Sequence, residues 1–165
     1  RHNALDVTMR DALVDALRAV AADGEDGAVV LRGRGPSFCS GGDLAEFGSF
    51  PDPVEAHLIR STRLPARAML DVRARLTAEV HGACVGAGVE LAAFARRVVA
   101  DPATTFRLPE VGMGLVPGSG GTWSLTHRIG AQRTNWLALT GAVVGVDVAA
   151  RWGLVDEVFA ATLDG

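Results

Sequence analysis

The sequence predicts a layered α/β fold. Short apolar runs alternate with segments of helical periodicity along the whole chain. Hydrophobic residues make up 48%, and glycine fills 20 of the 165 positions, the composition of a tightly turned globular domain. No internal repeat or linker divides the chain, so one domain covering residues 1–165 is expected.

The first element is a helix. Met9, Leu13, Ala16, Leu17 and Val20 share a face, Asp6 or Thr8 is placed to cap it, and Gly24 stands just past its end. "AVVLRG" (28–33) is a short apolar strand closing on glycine. "RGPSFCSGGD" (34–43) is a turn-rich loop, and "LAEF" begins a short helix. Residues 50–73 hold three prolines and scattered charges, and are expected to be the least regular and most mobile stretch. "RLTAEVHG" reads as a strand, residues 88–95 as a helix and "RRVVA" as a strand. "SGGTWSLTHRIG" and "AQRTNWLALTG" are helices closed by Gly130 and Gly141. "DVAARWG" and "LVDEVF" give a last helix and strand.

Composition excludes several function classes. The net charge of −3 does not favour nucleic acid or an anionic membrane as partner. All 16 basic residues are Arg, and neither Lys nor Tyr occurs. Cys39 and Cys84 form no CxxC pattern and read as small buried hydrophobes, which supports neither a disulfide framework nor a zinc site. No apolar run approaches the ~18 residues of a membrane helix. No signal peptide opens the chain, so a cytoplasmic location is expected. The abrupt start at "RHNAL" suggests that terminal pieces are missing.

"HGACVGAGVELAAFA" (81–95) packs Gly82, Gly86 and Gly88 into a turn that runs into an apolar helix with one carboxylate. Such a turn bares backbone N–H groups at the positive end of a helix. A dinucleotide site fits the order of strand, G-x-x-x-G-x-G and helix. Short-chain dehydrogenases, however, need the absent Tyr and Lys, and Asp101 is poorly placed to hold a ribose. A hydrolase elbow is nearly matched by "PGSGG" (117–121), but Pro117 stands at the first glycine position. Ser119 reads better as a helix cap, and His127, two turns along, cannot easily reach back. An oxyanion hole needs a second donor loop. "SFCSGGDL" (37–44) is the candidate, since it too follows a strand and bares its backbone through Gly41 and Gly42. Turns that only pack on a neighbouring strand are the plain alternative for either loop alone.

"FCSGGDL", "HGACVGAGVEL", "FRLPEVGMGLVPGSGGT" and "GLVDEV" stand in the order and spacing of the enoyl-CoA hydratase/isomerase (crotonase) superfamily. "RHNAL" resembles its early R-x-N-A-L segment, and the likeness runs from Arg1 to about Val158. The resemblance implies a crotonase-like right-handed spiral of ββα units, one acyl-CoA-binding domain, and assembly into trimers or paired trimers. The family's extreme N-terminal strand and its C-terminal helices, beyond "TLDG", are expected to lie outside this chain.

By resemblance, the backbone N–H groups of Gly42 and Ala87 form the oxyanion hole for a thioester oxygen. Many members carry glycine where Ala87 stands, and the hole survives if Ala87 avoids positive φ. Ser40, Asp43, Leu44 and Gly118 fall at substrate-binding positions, although Asp43 reads foremost as an acceptor for loop amides. The family's two hydratase glutamates match Glu90 and Glu110. Glu110 would give a proton to Cα, and Glu90 would orient and activate water. Gly118 matches a family glycine whose backbone N–H helps hold that second glutamate. Two carboxyls around one water suit this chemistry, because burial and repulsion push their pKa values apart. The plain alternatives are that Glu90 complements a helix dipole and that Glu110 sits in a surface turn. No cofactor is implied, since coenzyme A enters as part of the substrate.

Beside Ala87, the chain departs from the pattern at three further places. Ala45 replaces a Lys near the CoA phosphates, Arg96 replaces an Asp, and Glu79 sits unexplained in a strand. The expected activity is reversible syn addition of water to a 2-enoyl-CoA, giving a 3-hydroxyacyl-CoA. An isomerase using a single glutamate and a non-catalytic thioester binder are the alternatives.

Overall fold

Helix α1 (Val7–Ala22) begins at Asp6, whose carboxylate accepts the Met9 N–H at 2.7 Å and satisfies one orphan donor of the first turn. Its buried residues are Val14 and Leu17, with Leu13 and Val20 partly covered, while Met9 and Ala16 are exposed. The helix is therefore rotated from the expected face, because it packs against α2 (Pro65–Val72). The computed structural model describes residues 2–24, 26–46 and 63–159. Phe47 of the "LAEF" segment and residues 50–62 of the expected irregular stretch lie outside the described residues; Leu44–Glu46 is one 3-10 turn.

Helix α2 corrects the expectation for the end of that stretch. Pro65 sits at its first turn, where the missing N–H costs nothing and the fixed φ favours a helix. Ala66, Ala68, Met69 and Val72 then bury one side. The proline that suggested irregularity is a helix start.

Strands β1 (Val29–Arg32), β2 (Leu76–Val80), β4 (Arg97–Ala100) and β7 (Glu157–Val158) form a parallel sheet in the order β1-β2-β4-β7. A second sheet has the order β3-β5-β6, built from β3 (Ala83–Val85), β5 (Thr105–Arg107) and β6 (Val144–Gly145). Chain order gives the repeating unit. Strand β2 enters the first sheet, β3 the second, and α3 (Ala87–Ala92) closes the turn; β4 and β5 repeat the step before α4 (Gly121–Ile129) and α5 (Ala131–Thr140). Helix α6 (Val146–Trp152) then leads to β7. Strands β3, β5 and β6 escape periodicity because three residues or fewer carry no alternation to read.

Strand β2 shows the packing rule clearly. Leu76, Ala78 and Val80 are buried, and Thr77 and Glu79 between them are not. Glu79 pairs with Arg32 at 3.0 Å, its register partner on β1, which accounts for a carboxylate in this strand. Met69, Phe94, Phe106, Leu125, Leu137 and Leu154 join β2 in one continuous core. Arg128 clasps the far side, donating to the carbonyls of Leu154 (2.9 Å) and Ala95 (2.7 Å) and pairing with Asp156. Among the described residues, no helix is long and apolar enough to cross a membrane.

Candidate active site

The two glycine-bearing loops lie side by side as a short ladder. Phe38 N–H donates to His81 O at 2.8 Å, Cys39 N–H to Ala83 O at 3.3 Å, and Val85 N–H to Cys39 O at 2.9 Å, with Cys39 bridged to Cys84. Absent side chains make this approach possible. A Cβ on Gly82 would overlap the Pro36 carbonyl, and one on Gly88 would stand 2.7 Å from Cys39 O. Two of the three glycines thus serve loop packing, the plain reading. The third, Gly86, takes φ +51 and turns the chain into α3.

Gly42 and Ala87 each lie three residues past the bridged cysteines. Gly42 bridges Leu5 through the groups of its neighbours, Leu5 N–H to Gly41 O (2.7 Å) and Asp43 N–H to Leu5 O (3.3 Å). Its own N–H is left on the other edge. Ala87 is the first residue of α3, where no intrahelical acceptor exists. The positive φ falls on Gly86 and Gly41 and not on Ala87, so the methyl group is tolerated.

Glu90, one turn into α3, is 1% exposed. Its Oε2 accepts the N–H groups of Ser119 at 2.8 Å and Gly121 at 2.6 Å. A Cβ on Gly121 would stand 2.7 Å from Oε2 and overlap Cγ, so only glycine lets the start of α4 close on this carboxyl. Ser124 Oγ donates to the Glu90 carbonyl at 2.9 Å and ties the two helices at the same residue. Burial pushes the Glu90 carboxyl up to about 7; the Gly121 amide opposes the rise, and the negative charge of Glu110 adds to it.

Glu110 opens a 3-10 turn (Glu110–Met113) after Pro109 and is buried. Its Oε1 lies over Gly86, where a Cβ would come within 2.7 Å. Its Oε2 is buried without a hydrogen-bond partner among the described residues. Burial raises its pKa from the ordinary carboxylate value.

One cleft of about 150 Å³ brings these groups together. Gly42, Ala87, Glu90, Glu110, Asp43 and Gly118 all line it. Ser40 and Leu44 do not. Ser40 is exposed, its N–H taken by His2 O at 3.0 Å, and Leu44 is 65% exposed on the 3-10 turn. Asp43 Oδ1 accepts the Ala45 N–H at 3.0 Å, the loop-amide role expected of it. Ser119 does not cap α4, because Gly120 takes the cap position and the Ser119 N–H is turned to Glu90. The glutamate held by the 118–121 segment is therefore Glu90. Arg96, exposed, donates to Ala74 O at 3.3 Å, away from the cleft.

Sequence reading missed Arg10, Leu5, Leu64, Pro65, Leu115 and Val116 in the lining. Arg10 left a signal, since it lies at helical spacing from Val14 and Leu17, a charge on the buried stripe of α1.

A spiral of ββα units with paired loops beside a cleft is the architecture of the crotonase fold. The chain belongs to the enoyl-CoA hydratase/isomerase family, whose model matches residues 1–163. A protein of Rhodobacter capsulatus named "Probable enoyl-CoA hydratase" is 37% identical over 155 residues, 94% of this chain and 60% of that protein. The crystal structure of an enoyl-CoA hydratase subunit from Geobacillus kaustophilus superposes with a TM-score of 0.86 at 32% identity, covering 97% of this chain and 62% of that one. An enoyl-CoA hydratase from Mycobacterium smegmatis gives 0.85 at 30% identity, covering 95% and 61%. The chain thus spans about 60% of the length of the curated relative it matches.

Proposed function

We propose that this chain carries the site of an enoyl-CoA hydratase, adding water reversibly and syn to a 2-enoyl-CoA to give the 3-hydroxyacyl-CoA. The observation that carries the reading is two buried carboxyls with raised pKa values lining one cleft with Gly42 and Ala87. In this mechanism the backbone amides of those two residues hold the thioester oxygen as it gains charge, worth on the order of 3 kcal/mol per donor. Glu90, near neutrality and steadied as a carboxylate by two amides, takes a proton from water as the water oxygen bonds to Cβ. Protonated Glu110 gives its proton to Cα. Both acid and base are side chains, so coenzyme A enters only with the substrate and no separate cofactor is required. A cytoplasmic enzyme assembling as trimers is part of the same proposal, and Trp136, Leu139 and Val143 are exposed apolar residues available to an interface.

The contrast between an anchored Glu90 and a Glu110 oxygen without a partner among the described residues favours a second reading, an isomerase in which Glu110 alone carries the proton between carbons. Product analysis with crotonyl-CoA and with a 3-enoyl-CoA tests both. Water addition to crotonyl-CoA supports the hydratase. Bond migration in the 3-enoyl thioester without hydration supports the isomerase. Binding without turnover of either makes the chain a thioester binder.

A further inference from the structure

Arg10 is the only cation among the described residues lining the cleft. It lies on the buried stripe of α1, and its side chain is 13% exposed. Asp11 Oδ1 accepts from both Nε and Nη2 at 3.2 Å, which fills the side edge of the guanidinium. Among the described residues nothing accepts from Nη1, so the end edge, Nη1 with the second Nη2 hydrogen, is open.

A guanidinium has two edges that can each take a carboxylate through parallel N–H···O bonds. Donors withdrawn from bulk water and left unfilled are costly unless a ligand completes them. The neighbouring acids are engaged by backbone, Asp43 by the Ala45 N–H and Glu46 Oε1 by the Val7 N–H at 2.7 Å. Leu5, Leu64 and Pro65 line the same cleft as Arg10 and give it apolar surface suited to methylene groups.

We infer that Arg10 selects the acyl group, so that the cleft takes a thioester whose acyl chain ends in a carboxylate held by the open guanidinium edge. This rests on the acyl-thioester reading above. The nucleotide phosphates of coenzyme A are the other source of anionic oxygen, and the test separates the two.

The test is calorimetric binding of butyryl-CoA and glutaryl-CoA, saturated thioesters with nothing to hydrate, and of their pantetheine counterparts, to the whole chain and to Arg10→Met. Glutaryl-CoA is expected to bind about tenfold or more tighter than butyryl-CoA. The same preference is expected in the pantetheine esters, which lack the nucleotide phosphates. Arg10→Met should erase the preference and leave butyryl-CoA within roughly threefold. Arg10→Lys, which keeps the charge, should retain part of it. Equal affinity of the unaltered chain for both acyl groups overturns the inference and leaves the thioester reading standing. Weaker binding of both CoA esters in Arg10→Met, with the pantetheine esters unaffected, assigns Arg10 to phosphate and also overturns it. If the unaltered chain binds no thioester at all, the acyl-thioester reading fails, and the inference falls with it.

Discussion

Glu90 and Glu110 line the same cleft, yet the chain holds them in opposite ways. Glu90 belongs to a helix, is sealed from solvent and gives one oxygen to two amides. Glu110 belongs to a short turn, rests on the bare backbone of Gly86 and leaves an oxygen without a partner among the described residues. The difference shows how one fold gives two chemically identical side chains different freedom. A carboxyl pinned by fixed dipoles suits orienting a small molecule. One with an open oxygen suits passing a proton on. Repulsion links them, since a charge on one acid opposes ionisation of the other.

The largest effects are expected from removing each acid in turn. Glu110→Gln should lower hydration of crotonyl-CoA by about 100- to 10,000-fold while leaving butyryl-CoA binding nearly intact, because proton transfer supplies rate and not affinity. Glu90→Gln should cost a comparable factor if both groups act on one water. Full hydration in that variant would break the pairing and leave Glu110 as the sole proton carrier. Turnover and binding measured on the same preparations distinguish these outcomes.

The next effect is on stability against pH. Glu90 rises from an ordinary 4.5 to about 7 on folding, so the folded chain holds that proton more tightly than the unfolded one. The resulting stability is intact below about 4.5 and is lost as pH climbs through about 7. Denaturant titrations at about pH 5 and 8 should show Glu90 removing up to about 3 kcal/mol over that interval. Glu90→Gln, which cannot ionise, should flatten the profile and be the more stable chain at the alkaline end. An unchanged slope would show that Glu90 titrates normally.

Smaller effects come from the backbone that holds each acid. Gly121→Ala should cost about 1–3 kcal/mol and depress activity, since its Cβ meets Glu90 directly. Gly86→Ala combines a positive φ with a clash against Glu110 Oε1, so its activity loss should follow the Glu110 side of the comparison. Ser124→Ala should cost about 1 kcal/mol in thermal or chemical unfolding. It acts through the Glu90 carbonyl and not the carboxyl.

Sequence made the alternation of strands and helices legible, because α1, β2, α4 and α5 are long enough to show a period and carry their own stop signals. The acids and loop glycines were legible too, through motif order. The partners of Glu90 were not. The Ser119 and Gly121 amides are backbone groups, and the side chain of Ser119 pointed to a capping role that Gly120 fills. Strand β3 hid inside the glycine run for the same reason: its pairing with the 34–43 loop is a property of tertiary contact. Met9 suggested the wrong face of α1, since the spacing of apolar residues alone cannot say where α2 will press.

The docking of the two loops also bears on redesign. Their register depends on missing atoms: methyl groups at Gly33, Gly82 or Gly88 would collide with the carbonyls of Phe38, Pro36 or Cys39. Combinatorial libraries aimed at new acyl groups should hold those three positions constant. Leu5, Leu64 and Val116, side chains lining the cleft, are the positions to randomise, because they can change its shape while the backbone donors stay where they are.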